Sequence, residues 1–340
     1  MDDPTTAATR RLIREFVDAV NGHDTGRLEG LLQEGVVFHG PLAASPSVGR
    51  NAVGRFYEER WRAVPDLQAS VVEMAVEADR AVVRSTLRGT HRGALAGFPA
   101  SGRSFEGVDD CGWYRVADGR IAELWLLPTS AHMLEKLRLM PSGPPPRLLV
   151  WLLSLKNGRG VVSAAPQPPP AVRVELRPGE RGGAEKFLVR KGLLEFFGGR
   201  RFETFDELFA PDEQILSKID AVEGKAAVLA LYRKVLGAFP DLYFTIDDMV
   251  SEGELVGARV TARGTQLGSL EGLPPTGRRY EATEVFMEVV RGGRIQRQWH
   301  FVNFEAMLQQ LGLAPPGPPP LPMRLLMRFL ASRQEKPKDS

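Results

Sequence analysis

Three side chains in the first half of this chain have the chemistry to move a proton: His39, His91 and Glu123. An imidazole titrates near neutrality, so either histidine could act as a general base. A carboxylate walled by apolar side chains has its pKa raised and can exchange protons near neutral pH, which is the use Glu123 would have. Each also has a structural reading. His91 closes a Gly-Thr-His run at a strand end and could bond a loop. His39 follows a short strand and could be a loop histidine. Glu123 could pair with an arginine at a rim. Ile121, Glu123, Trp125 and Leu127 share one face at the two-residue period of a strand, and the Ile and Trp on it place that face toward a pocket.

The elements that must position these groups occur twice. RGTHRG, GFPASGR, DGRIAELW, HMLEKL and PSGPPP return about 175 residues later as RGTQLG, GLPPTGR, GGRIQRQW, AMLQQL and PPGPPP. A period this long means two whole domains. In each copy amphipathic helices come first; Leu12, Ile13, Phe16, Val17 and Val20 mark the first, and Val53, Phe56, Tyr57 and Trp61 mark a later one. Four strand-like stretches follow, Leu67 to Val76, Ala81 to Thr90, Arg103 to Val116 and Arg120 to Leu127, with a hairpin signal at Asp118-Gly119. The second copy places helices at 186–197, 202–209 and 224–239 and strands at 242–250, 255–265, 279–290 and 294–301. This order is α+β: a curled antiparallel sheet wrapped around helices, leaving a cone-shaped pocket. The expected divisions are 1–140, 141–183, 184–314 and 315–340. The second and fourth hold Pro-rich spacers and short apolar-basic helices at 147–156 and 323–332, which dock on a domain or make a weak membrane-surface or protein contact.

The copies differ at the chemical positions. Gln266 replaces His91, and Arg297 replaces Glu123, where it could bind an acidic substrate group or snorkel at the rim. Asp109 and Glu284 stand at matching places on the third long strand, and either could be a pocket acid. His300 is out of phase with Trp299 and is expected to face away from the pocket. Asp66 and Asp241 follow proline at a helix-to-strand turn and read as turn residues. Trp61, Trp113, Trp125, Tyr243, Phe286 and Trp299 read as wall and core.

The segments VPDLQASVVEMAVEADRAVVRSTLRGTHRGALAGFPASGR and FPDLYFTIDDMVSEGELVGARVTARGTQLGSLEGLPPTGR, followed by IAELW and IQRQW, resemble the SnoaL-like polyketide-cyclase group of the nuclear-transport-factor-2-like superfamily. The resemblance implies two tandem cone-shaped α+β barrels and a cofactor-free acid/base reaction in a mostly apolar pocket. In such cyclases an aspartate just after the last strand moves the proton during an intramolecular aldol closure. Here Thr129 and Asn303 stand four residues after Trp125 and Trp299. Neither can be a base near neutrality, although a hydroxyl and an amide can still bind a carbonyl. The candidate catalytic residues are therefore His91, Glu123 and His39. The candidate binding residues are Trp125, Thr129, Trp113, Trp299, Asn303, Gln266, Arg297 and Glu284.

Bulk properties narrow the function class. The 44 basic and 42 acidic residues nearly balance, which argues against a dedicated nucleic-acid binder. One cysteine, Cys111, fits a reducing compartment. No signal core and no membrane-length apolar run are visible, so a cytoplasmic protein is expected. No metal-ligand spacing, phosphate loop or Gly-x-Ser-x-Gly elbow occurs, so no cofactor is expected. The expected function is a cyclase or isomerase acting on a small apolar carbonyl compound. The alternatives are a non-catalytic ligand-binding or scaffold protein, and an epoxide hydrolase or epoxide-opening cyclase of the same fold. The two copies are expected to pair within the chain as a pseudo-dimer, the protein being a monomer or a homodimer.

Overall fold

The computed structural model describes residues 3–41, 45–128, 130–140, 173–217, 221–270, 272–314 and 320–333. These fall into two compact units. Described residues up to Gly143 join those from Ala314 onward in the first, and those from Pro144 to Leu313 form the second.

In the first unit, α1 (Pro4–Asn21) begins where Asp3 caps the chain and Pro4 supplies a preset φ. It buries Leu12, Ile13, Phe16, Ala19 and Val20. Helix α2 (Thr25–Gly30) is capped by Asp24, whose carboxylate accepts from the Arg27 N–H at 2.8 Å. Then come β1 (Leu32–His39), β2 (Ser47–Val48), α3 (Arg50–Ala63), β3 (Gln68–Glu77), β4 (Arg80–Thr90), β5 (Ser104–Ala117), β6 (Arg120–Pro128) and α4 (Ser130–Lys136). The second unit repeats the order. Helix α5 (Gly183–Arg190) runs into a π-helical stretch, Lys191–Gly198, and a short helical pair, Phe202–Thr204 and α6 (Phe205–Leu208). After them come β7 (Phe209–Ser217), β8 (Ala221–Glu223), α7 (Lys225–Ala238), β9 (Tyr243–Glu252), β10 (Leu255–Thr265), β11 (Arg279–Arg291), β12 (Arg294–Val302) and α8 (Phe304–Gln310). Helix α9 (Leu321–Arg333) belongs to the first unit, whose core Met327 touches. No helix among the described residues is long and apolar enough to cross a membrane.

Each sheet has six strands, in the orders β2-β1-β6-β5-β4-β3 and β8-β7-β12-β11-β10-β9. All pairings are antiparallel except β1 with β6 and β7 with β12. The sheets are thus mixed, where the sequence pattern predicts a plain antiparallel meander. Strand β7 had no sequence signal, because Pro211, Asp212 and Glu213 read as loop residues.

The repeated motifs have local physical reasons. Asp66 and Asp241 each clamp a strand end: their carboxylates accept from the backbone N–H and hydroxyl of Thr90 and Thr265 at 2.6 and 2.7 Å. A Cβ on Gly93 or Gly268 would come within 2.1 Å of the carbonyl oxygen of Arg62 or Gly237, so only glycine lets that loop press on the preceding helix end. Asp118 and Gly119 both have positive φ, as a two-residue hairpin turn of the mirror-image type requires.

One irregularity decides which side chains face inward. On β6 the register slips between Ile121 and Glu123, and on β12 between Ile295 and Arg297. An extra residue in a strand turns every later side chain to the other face. Ile121 and Ile295 belong to the helix-side cores, but beyond the bulge Leu124, Leu126 and Val302 do so instead of Trp125 and Trp299.

Candidate functional site

The concave face of the second sheet and its helices enclose a hollow holding about 860 Å³ of space between atoms, its open mouth included. Phe197, Phe209, Leu231, Phe239, Phe244 and Leu270 supply apolar wall. Into it project six polar side chains: Tyr232 from α7, Tyr280, Glu284 and Glu288 from β11, and Gln298 and His300 from β12.

The two strands place these groups in rows. Glu284 and Glu288 flank Phe286 on one face of β11, with His300 opposite Phe286 and Gln298 opposite Glu288 on β12. Near the β11 start, His300 Nε2 lies 2.7 Å from Glu284 Oε2, while the Tyr280 hydroxyl donates to Glu284 Oε1 at 2.8 Å. Both carboxylate oxygens are thereby engaged. The imidazole stacks on Phe286 with ring centres 4.2 Å apart and planes 5° from parallel. If Nε2 carries the proton given to Glu284, Nδ1 is the basic nitrogen, and it has no hydrogen-bond partner among the described residues. A base held in one tautomer by a carboxylate is arranged to take a proton and to have the resulting charge compensated.

Toward the other end, the Tyr232 hydroxyl donates to Gln298 Oε1 at 3.2 Å. Burial pushes the Glu288 carboxyl up to about 8. Burial, reinforced by the charge of Glu288, pushes Glu213 on β7 up to about 9. Burial likewise drives the Tyr232 phenol well above its ordinary value.

The first unit builds the same surface with other side chains. By register, Asp110 stands where the second unit has Glu284, Leu126 where it has His300, and Leu124 where it has Gln298. Tyr114 replaces Glu288, and its hydroxyl fills the space above Gly112, where a Cβ would meet it at 2.4 Å. Asp110 is half-buried, with Oδ1 fully buried, and burial raises its pKa; by register Leu126, not an imidazole, stands where His300 is in the second unit.

The sequence-derived candidates are distributed as follows. His39 and Glu123 do meet, Nε2 to Oε1 at 3.0 Å, with Arg115 Nε 3.2 Å from Glu123 Oε2 and the His39 ring stacked 4.4 Å from Trp125. This cluster lies on the sheet face opposite the helices, beyond the β6 bulge. Trp113 is fully buried on that same face, outside the helix-side core. Arg297 and Trp299 stack together on the corresponding face of β12. His91 is buried; its Nδ1 accepts from the Ser101 N–H at 3.2 Å and lies 3.0 Å from the Ser101 hydroxyl, so it braces the loop after β4. Burial holds its pKa below the ordinary histidine value. Gln266 braces the matching loop by accepting from Thr276 at 2.8 Å. Asn303 caps α8, accepting from the Ala306 N–H at 3.1 Å. Thr129 lies outside the described residues. Glu284 is the candidate that lines the hollow.

His300, by contrast, was expected to point away and lines the hollow. The bulge preceding it reverses the phase. Asp109 pairs with Arg84, and the residue matching Glu284 is its neighbour Asp110. An extra residue in β5 near Gly107, whose φ is +69°, shifts the strand by one. Glu288, Glu213, Tyr232, Tyr280 and Gln298 were not singled out. For Tyr280, Glu288 and Gln298 the one signal was a polar residue within a strand; Tyr232 lies on a helix, and Glu213 on a strand that reads as a loop.

Because His91 acts on a loop, His91→Ala is expected to cost about 1–2 kcal/mol of stability through the lost loop hydrogen bonds. His91→Gln, which copies the second unit, should recover most of it. Urea unfolding of the three proteins measures this.

No group of three or more His, Cys, Asp or Glu side chains able to hold a metal ion occurs among the described residues. A comparison with curated proteins finds no match. Among solved structures, the chain is similar to AclR, a candidate hydroxylase from Streptomyces galilaeus, at 24% identity over 43% of this chain and 90% of that one, TM-score 0.37. It is also similar to IdmH, a candidate polyketide cyclase from Streptomyces antibioticus, at 28% identity over 38% and 97%, TM-score 0.36. A SnoaL-like protein from Jannaschia sp. CCS1 matches at 21% identity over 43% and 99%, TM-score 0.37. The family model described as SnoaL-like polyketide cyclase matches twice, over residues 10–137 and 187–311, so this two-unit chain belongs to the SnoaL-like polyketide cyclase family.

Proposed function

We propose that the hollow of the second unit performs a cofactor-free acid/base reaction, a ring closure or isomerisation, on a small apolar carbonyl compound of the polyketide type. His300 Nδ1 takes a proton from the carbon beside a carbonyl. The C–H electron pair becomes the C=C bond of an enolate, and the carbonyl π pair moves to oxygen. Glu284 compensates the charge on the imidazolium, and Tyr280 holds Glu284 in place. In a ring closure the enolate carbon attacks a second carbonyl of the same molecule, whose oxygen takes up the proton held by His300. The observation that carries this reading is the His300–Glu284–Tyr280 chain of hydrogen bonds set into the wall of an apolar hollow.

Incubating the full chain with a panel of poly-β-ketone esters, and following ring formation by absorbance and mass, tests it. Consumption of one of them with a new ring supports the proposal. No turnover across the panel, with binding retained, would establish the competing reading of a ligand-binding protein. Asn303 serving as a helix cap, where a cyclase would have an acid, is the observation that favours that alternative.

A further inference from the structure

The end of that hollow away from His300 has a feature the reaction above leaves unused. Glu213 is fully buried, and neither of its carboxyl oxygens has a hydrogen-bond partner among the described residues. Glu288 is 2% exposed, lines the hollow, and its Oε2 is likewise unpartnered. Two buried carboxyls with three open oxygens are costly to keep, since a buried polar atom that leaves water without a new partner loses its hydrogen bond outright. The first unit avoids the cost: Val36 and Tyr114 occupy the matching positions. Glu288 opposes the ionisation of Glu213, and both oppose that of the nearby Tyr232, whose hydroxyl is committed to Gln298. No arginine or lysine contributes to the shift of either carboxyl. With no cation to balance them, both stay neutral near pH 7, and a neutral carboxyl is a hydrogen-bond donor.

We propose that Glu288, which lines the hollow beside the buried Glu213, donates a hydrogen bond to the substrate's carbonyl oxygen. The substrate class is therefore a ketone or ester that carries its carbonyl into the hollow, and not an amine. The donor stabilises the oxygen as it gains negative charge, which is where such a group has most effect. This rests on the acid/base reading above but makes a separate demand on the molecule, because it can hold without turnover.

The test uses the full chain and 2-acetonaphthone, an unreactive aromatic ketone, read by the infrared stretch of its carbonyl and by its affinity. Bound to the wild type, the stretch should fall below its value in hexane. Glu288→Leu should abolish that fall and weaken binding about tenfold, the equivalent of one good hydrogen bond. Glu288→Gln, which keeps a donor and cannot ionise, should retain the fall and carry it to higher pH. In the wild type, affinity should decline as pH rises past about 8, where the donor proton is lost. Glu213→Leu should leave that decline in place, because burial alone raises Glu288. Failure of the ketone to bind, an unchanged stretch in Glu288→Leu, or affinity that rises with pH would overturn the proposal. So would tighter binding of 2-phenylethylamine than of the ketone, since an ammonium would seek the ionised pair. Shifted carbonyl binding without turnover of any β-ketone ester would remove the catalytic reading and leave this one standing. Turnover that survives Glu288→Leu would do the reverse.

Discussion

Replacing His300 by alanine is expected to lower kcat/KM for a cyclised β-ketone ester by about 10²–10⁴-fold, the range that a positioned general base contributes. The fall should appear in kcat with KM little changed, because the imidazole contributes one small part of a wall made mostly of aromatic and aliphatic side chains. Glu284→Gln should lose less than His300→Ala, since an amide can still hold the ring but cannot compensate its charge. Tyr280→Phe should lose least, because it frees one carboxylate oxygen and leaves the 2.7 Å contact to His300. The graded order is the informative part. Steady-state kinetics of the three variants, with circular dichroism to check folding, measures it. His39→Ala and Glu123→Gln serve as controls. That pair lies on the opposite face of the first sheet and should leave turnover within about twofold of wild type, corresponding to less than ~1 kcal/mol. Loss of activity in these controls with full activity in His300→Ala would return the chemistry to the first unit.

The second large effect concerns stability and pH. The folded-state values of Glu213 and Glu288, about 9 and about 8, lie above the ordinary carboxyl value near 4.5. Between those limits the unfolded chain has released protons that the folded chain still holds. Stability must then fall as pH rises through this window, by up to about 1.4 kcal/mol per pH unit for each group, and level off above the folded values. This is opposite to the usual behaviour of an ion-paired carboxylate. Asp110 in the first unit, also raised by burial, adds a contribution of the same sign. His91, lowered by burial, acts in the other direction only below about pH 6.5, where the unfolded histidine takes up a proton. Measurements between pH 7 and 8 therefore report on the carboxyls; nearer pH 9 the Cys111 thiol, also raised by burial, adds a fall of the same sign. Glu213→Leu removes one buried, unpartnered acid and substitutes an apolar group of similar size. It should raise stability at pH 8 by about 1–4 kcal/mol and flatten the decline. Urea titrations at pH 7, 8 and 9 check both. A variant no more stable than wild type, with the same pH slope, would show that Glu213 is not a buried acid.

The two tightest constraints in this chain point in different directions. The Glu213–Glu288 pair lowers stability and has no role in holding the fold, whereas Asp66, Asp241, Gly93 and Gly268 hold the fold and touch no part of the hollow. Val36 and Tyr114 stand in the first unit where the second has this pair.

How much of this was visible beforehand follows from what each signal measures. The duplicated blocks, the helix-then-strand order and the turn residues are local, and local sequence carries them: Asp66 sits in the turn its place after proline predicts, and Asp118-Gly119 makes its hairpin. The family resemblance rests on the same blocks. The site did not follow, because its residues are defined by which way they face. The two-residue period placed Trp125 and Glu123 inward and His300 outward. A single extra residue after Ile121 and after Ile295 reversed both assignments, and no composition signal marks a bulge, since it depends on how the neighbouring strand is paired. Glu213 was invisible for a related reason. Its strand pairs in parallel with β12, about 85 residues away in sequence, and reads locally as a polar loop. Sequence alone thus determined that one α+β unit is used twice and that Thr129 and Asn303 cannot supply the base. Only the tertiary structure decided that the acids and the imidazole gather in the second unit, because register and parallel pairing are set by long-range contacts that a run of residues does not contain.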